Sequence, residues 1–111
     1  MLTIDTLKEF GADTSEGLAR CMNNESFYLM LVKKATQDKR LELLEQQIID
    51  KDLDAAFESA HMLKGMYANL SLTPLTKPVS EMTELLRSRT DTDYSALLNQ
   101  AKENFARLCS L

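Results

Sequence analysis

The sequence predicts an all-α protein: an antiparallel four-helix bundle with two short additional helices at the N-terminus. Three observations carry that expectation. Apolar residues recur at alternating spacings of three and four, the period of an amphipathic helix. Leu, Ala, Glu, Lys and Met dominate, and only three Gly and two Pro interrupt 111 residues, which favours helix over strand. The breaks between periodic segments are short, and short connections make neighbouring helices antiparallel.

The segment LTIDTLKEF places Ile4, Leu7 and Phe10 on one face and stops at Gly11. Asp13, three residues before Glu16, is a start signal for a second short helix. Asn23 and Asn24 then interrupt, and either can cap the next segment. That helix is expected over residues 25–36, with Phe27, Met30, Leu31 and Ala35 inward. Asp38 opens another, in which Leu41, Leu44 and Ile48 repeat; the break between the two is either a true turn or a kink. Asp52 is the expected N-cap of the central helix. There Leu53, Ala56, Ala60, Leu63, Tyr67 and Leu70 form the clearest stripe in the chain. Thr73 as N-cap with Pro74 at the first helical position starts the next helix, whose inward residues are Leu75, Val79, Met82 and Leu86. Pro78 lies a turn inside and removes a backbone donor, so a kink or an irregular start is expected. RTDTD ends this helix. The last one carries Tyr94, Leu97, Ala101, Phe105 and Leu108.

A chain of this length reads as one domain, residues 1–111, able to bury a modest core without disulfides or metal. Its net charge of −4 argues against a nucleic-acid surface, which needs clustered Lys and Arg. Two distant cysteines, Cys21 and Cys109, make no disulfide framework, so a reducing cytoplasm is the expected setting. The first residues lack both a basic segment and a long apolar run, so no signal peptide is expected. No run approaches the ~18 apolar residues of a membrane span. Direct membrane insertion is therefore not expected.

The candidate chemistry lies in AHMLKG, residues 60–65, which holds the only histidine. At about 100° per residue, His61 falls roughly 120° from the centre of the central stripe, so its ring should emerge into water. Lys64, at i+3, can reach over the imidazole. Two adjacent cations would repel, which favours the neutral ring that a nucleophile requires. A phosphoryl group on the ring would reverse the local sign and give Lys64 a charge-assisted partner. Gly65, at i+4, costs about 1 kcal/mol in a helix relative to Ala; its use would be clearance beside the ring, and its bland reading is a helix terminator. Ala68, at i+7, continues the low-profile strip. Phe57, at i−4, sits between core and surface and could offer apolar contact to a partner, although core packing is the commoner role.

Other chemistries fail on inventory. One His and two distant Cys are poor material for a zinc site, which takes about four ligands, so no metal is expected. No glycine-rich phosphate loop is present. Without a base or an oxyanion site beside it, His61 can accept and donate a group but cannot drive its hydrolysis.

The stretch AHMLKGMYANLSLTPL resembles the histidine-containing phosphotransfer domains of bacterial two-component phosphorelays. Their signature is a histidine with lysine at +3 and glycine at +4 on an exposed helix of a four-helix bundle. GLARCMNNESFYLMLV and KDLDAAFESAHMLKG are similar to the same family. The resemblance implies that His61 exchanges a phosphoryl group, on Nε2, with an aspartate of a receiver domain. That receiver would belong to a hybrid sensor kinase or a response regulator, and would supply Mg²⁺ and the catalytic residues. It also implies that a polar side chain on the following helix, here Thr83, holds Nδ1, and that Arg87 serves the phosphate or the docking surface. Three positions depart from the family pattern. Met66 follows the glycine where a small polar residue is usual, Ser71 stands where a second glycine is usual, and Thr83 is shorter than the common glutamine.

The resulting expectation is a monomeric carrier with no kinase or phosphatase activity of its own and no bound cofactor. The alternative is a helical adaptor that docks receivers or kinases without carrying phosphate.

Overall fold

The computed structural model describes residues 1–111 and contains helices and no strand. The elements are α1 (Ile4–Phe10), α2 (Thr14–Arg20), α3 (Glu25–Gln37), α4 (Arg40–Ile49), α5 (Leu53–Asn69), α6 (Thr73–Arg87) and α7 (Ser95–Cys109). Most starts are written in side chains. Thr3 and Thr6 cap α1 reciprocally. Asp13 accepts from the Glu16 amide at 3.1 Å, Asn24 from the Phe27 amide at 3.1 Å, and Asp52 from the Ala55 amide at 3.2 Å. Each satisfies one of the donors that the first turn leaves free. Gly11 ends α1 at φ +112°, where a side chain would be strained.

The helices α4, α5, α6 and α7 follow one another side by side, each packed against the next. The turns are short, at residues 50–52, 70–72 and 88–94, so each neighbour pair runs antiparallel. Lys102 of α7 closes on Glu45 of α4 at 2.8 Å. The buried core draws on all the longer helices, through Val32, Leu44, Leu63, Tyr67, Leu75, Met82, Leu86 and Leu108 among others. The molecule is elongated, 41 × 24 × 19 Å.

The short N-terminal helices cover one end, as the sequence predicts. There the Asp13 amide donates to the Ser71 carbonyl at 3.0 Å. Arg107 of α7 donates to the Phe10 carbonyl and lies 5.1 Å above the Phe10 ring. Tyr28 of α3 sends its hydroxyl to the Leu70 carbonyl at 2.8 Å. Burial pushes the Tyr28 phenol up to about 12, with smaller contributions from Cys21 and Asp13; a phenolate in that place would lose water and face negative neighbours.

Four expectations need correction or resolution. The break between α3 and α4 is a true turn: Asp38 is extended (φ −76°, ψ 135°) and its carboxylate accepts from the Arg40 amide at 2.7 Å. On α3 Ala35 is inward as expected and Leu31 is half-buried against the core, but Tyr28 and Val32 take the interior in place of Phe27 and Met30. Tyr28, Val32 and Ala35 are buried, whereas Phe27 and Met30 are 44% and 46% exposed. The cause is the tertiary seat of Tyr28: Gly17 makes room for its ring, since a Cβ there would fall 2.5 Å from the phenol. Thr73 is the first residue of α6 and Leu72 is its cap, without a side-chain bond. Finally, α6 runs through Pro78 without a break. Pro78 leaves the Pro74 carbonyl without its i+4 donor, and Asn104 of α7 supplies one, Nδ2 to O at 2.8 Å.

Candidate functional site

The central stripe of α5 is buried as its spacing demands, with Ala56, Ala60, Leu63 and Tyr67 at 1% exposure or less. Burying that stripe turns the next face of the helix outward. His61, Met62 and Gly65 are all exposed. The helix continues to Asn69, so Gly65 is a mid-helix glycine and not a terminator. A Cβ built at Gly65 would meet nothing within 4 Å. Its absence therefore relieves no contact inside the chain, and the open space lies next to the imidazole.

The His61 imidazole has no hydrogen bond to the rest of the chain. Its one oriented contact is with Phe57, one turn back on the same helix. The ring centroids are 5.7 Å apart and the planes are inclined by 19°, a stacked arrangement. Phe57 is half-buried at the core margin. The guanidinium carbons of Arg87 and Arg89 lie 5.1 and 5.0 Å from its ring centroid, within cation–π range. Arg89 is itself fixed by donation to the Leu86 carbonyl at 2.7 Å and by an ion pair with Asp54.

Lys64 lies one turn beyond His61, but its ammonium is turned to Glu84 on α6, at 3.7 Å. It does not cover the imidazole face, as the i+3 spacing alone would allow. The same carboxylate receives Arg87 at 3.3 Å. Two cations thus share one exposed acid at the α5–α6 seam. The pairs are solvent-exposed, so each is worth under about 1 kcal/mol. Such pairing positions the cations without committing them.

Thr83 does not occupy the place that the family resemblance gives it. It is fully buried, and its hydroxyl donates to the Val79 carbonyl one turn back at 2.7 Å. No hydrogen bond joins it to His61. A threonine on the inner face of α6 satisfies its own hydroxyl on the helix backbone. Ala68 is half-buried two turns past His61. It borders an open cleft of about 530 Å³ that Arg20, Thr76, Lys77 and Glu81 also line. The structure therefore brings His61, Phe57, Lys64 and Arg87 together and leaves Thr83 and Ala68 apart from the ring.

Glu84 and Arg89 were not singled out from the sequence. Glu84 carried a signal, because it lies three residues before Arg87, a helical pairing distance; its link to Lys64 depends on the register between α5 and α6. Arg89 had none, since it lies past the end of α6, at φ +52°.

Ser71 carries the explanation of its own departure. It sits at φ +55°, the left-handed conformation that glycine adopts without cost. Its hydroxyl donates to Glu16 at 3.1 Å.

No group of three or more His, Cys, Asp or Glu is arranged to hold a metal ion. No helix is long and apolar enough to cross a membrane. Residues 31–110 match the family model of the Hpt domain. No curated protein and no solved structure gives a significant match.

Proposed function

The chain belongs to the Hpt domain family, whose members are phosphotransfer carriers in two-component signalling, and from this premise we propose that His61 is the carrier residue. In the proposed step, Nε2 of the neutral ring attacks the phosphorus of an aspartyl phosphate on a receiver domain. The N–P bond forms as the bond from phosphorus to the aspartyl oxygen breaks, and the carboxylate leaves with that electron pair. The proton on Nδ1 is then free to pass to water. The reverse step returns the group to a receiver aspartate.

The receiver supplies Mg²⁺ and the acid residues that hold it; this chain offers no ligand cluster for the ion. Lys64 exchanges Glu84 for the phosphoryl oxygens, and Arg87, on the same carboxylate, can follow. Gly65 leaves room for the group and for the partner backbone. Nothing beside His61 is placed to activate water, so the N–P bond should persist until a receiver docks. The chain acts as a monomer in the cytoplasm, where receivers reside.

One observation carries this reading. The only imidazole in the chain stands exposed, with unpartnered nitrogens and open space over the adjacent glycine. The test is incubation with a phosphorylated receiver and Mg²⁺, followed by assay for acid-labile, alkali-stable phosphate. Wild type should become labelled and His61→Gln should not, with equal helicity in both. Binding of the receiver without any transfer would favour the adaptor reading.

A further inference from the structure

We propose that Phe57 is a positioning residue for His61: ring stacking, and not a hydrogen bond from α6, sets the plane in which the attacking nitrogen lies. The inference rests on the phosphotransfer reading and adds to it the means by which the ring is held.

Three observations converge. No side chain of α6 hydrogen-bonds the ring, and Thr83 is fully buried and donates to Val79. The ring is nevertheless not free. It stacks on Phe57 at 5.7 Å and 19°, within the separation of favourable aromatic pairs. And Phe57 is itself held, by the core margin and by two guanidiniums at 5.1 and 5.0 Å. Arg89 is anchored to both α5 and α6, through Asp54 and the Leu86 carbonyl. Arg87 is oriented by its exposed pair with Glu84. The order of support therefore runs from the α6 C-terminus, through the arginines, to Phe57 and then to the imidazole.

This arrangement differs chemically from a hydrogen bond. A donor or acceptor at Nδ1 fixes both ring angle and tautomer. A stacked ring fixes the plane alone and leaves both nitrogens available. A rotating nucleophile loses the orientation that group transfer depends on, so removing the stack should slow the chemical step while leaving receiver binding intact.

The experiment compares Phe57→Leu, which keeps the apolar volume at the core margin, with Phe57→Tyr, which keeps the ring. Transfer from a phosphorylated receiver is followed at saturating and limiting receiver concentrations. Proton NMR of the unphosphorylated protein reports the ring current at the His61 carbon-bound protons. Phe57→Leu should lower the saturating rate about three- to tenfold, the range of a single aromatic contact, with the half-saturating concentration unchanged. It should also move the His61 ring signals toward their positions in an unstacked imidazole. Phe57→Tyr should restore both to near wild type.

An unchanged saturating rate in Phe57→Leu would overturn the proposal. So would a loss that Phe57→Tyr fails to repair. A change confined to the half-saturating concentration would make Phe57 a docking contact and overturn it equally. Failure of the wild type to accept phosphate is a different result: it removes the phosphotransfer reading itself, and this positioning role with it.

Discussion

Asn104 of α7 donates its side-chain amide to the Pro74 carbonyl of α6 at 2.8 Å, replacing the bond that Pro78 cannot make. Asn104→Ala should therefore destabilise the fold by about 1–2 kcal/mol, the cost of a half-buried carbonyl left without a partner. In a Pro78→Ala background the restored amide at residue 78 can serve that carbonyl, so the same substitution should cost less. A double-mutant cycle by urea denaturation measures the coupling. Additive effects would show that the two residues act independently.

The two helical glycines should respond in opposite directions to alanine. At Gly17 a Cβ would strike the Tyr28 phenol, so Gly17→Ala should destabilise by roughly 1–3 kcal/mol through overpacking. At Gly65 there is open space, so Gly65→Ala should raise stability by up to about 1 kcal/mol while slowing transfer from a receiver. Thermal melts with parallel phosphotransfer assays test both. A faster or unchanged transfer rate in Gly65→Ala would remove clearance from the mechanism.

Ser71 offers a way to separate backbone strain from hydrogen bonding. Ser71→Ala loses the bond to Glu16 and keeps φ +55°. Ser71→Gly loses the same bond but relieves the left-handed strain. The glycine variant should be the more stable of the two by about 1 kcal/mol, read from denaturation midpoints at constant slope.

Alkaline stability should be limited by tyrosine. The Tyr28 phenol is raised to about 12 by burial, and burial raises Tyr67 as well. A group with a folded pKa above its unfolded value gives stability that is fully present below the unfolded value. That stability is lost as pH rises toward the folded one. The protein should accordingly weaken from about pH 10 upward. Phenolate absorbance from these two rings should appear together with the loss of helical circular dichroism. Full tyrosine ionisation with helicity intact would contradict the burial argument.

Lys64 should act on the modified ring and scarcely on the fold. Its resting partner is an exposed carboxylate, so Lys64→Ala should change stability by less than about 1 kcal/mol. It should shorten the life of phosphorylated His61 several-fold, or slow its formation. Glu84→Gln releases both cations and should act in the opposite sense. Equal lifetimes together with equal rates of formation in all three proteins would exclude this electrostatic role.

Much of the architecture was legible because it is written in local chemistry. Asp13, Asn24 and Asp52 announce their helices by capping, and the stripe from Leu53 to Leu70 fixes which face of α5 is buried and therefore that His61 is not. The errors arose where tertiary contacts decide. Phe27 is the more apolar residue, yet Tyr28 takes the interior, because a glycine on α2 and a carbonyl after α5 together make a seat for a phenol. Pro78 reads as a helix breaker until Asn104, 26 positions away in sequence, is brought alongside. At the site, the positions of His61, Lys64 and Gly65 followed from spacing within one helix. The turn of Lys64 toward Glu84, and the guanidiniums over Phe57, depend on the register between α5 and α6, which no single-helix period encodes.

Tyr28 also bears on where this protein can be cut. The family match begins at residue 31, yet the phenol that closes over Leu70 precedes it, and so do Leu7 and Phe10 in the same apolar interior. A fragment trimmed to the borders of the recognised family would bare the end of the bundle that those side chains seal. The first thirty residues place Leu7, Phe10 and Cys21 in the same buried core as residues 31–110, so the packed unit extends beyond the matched one.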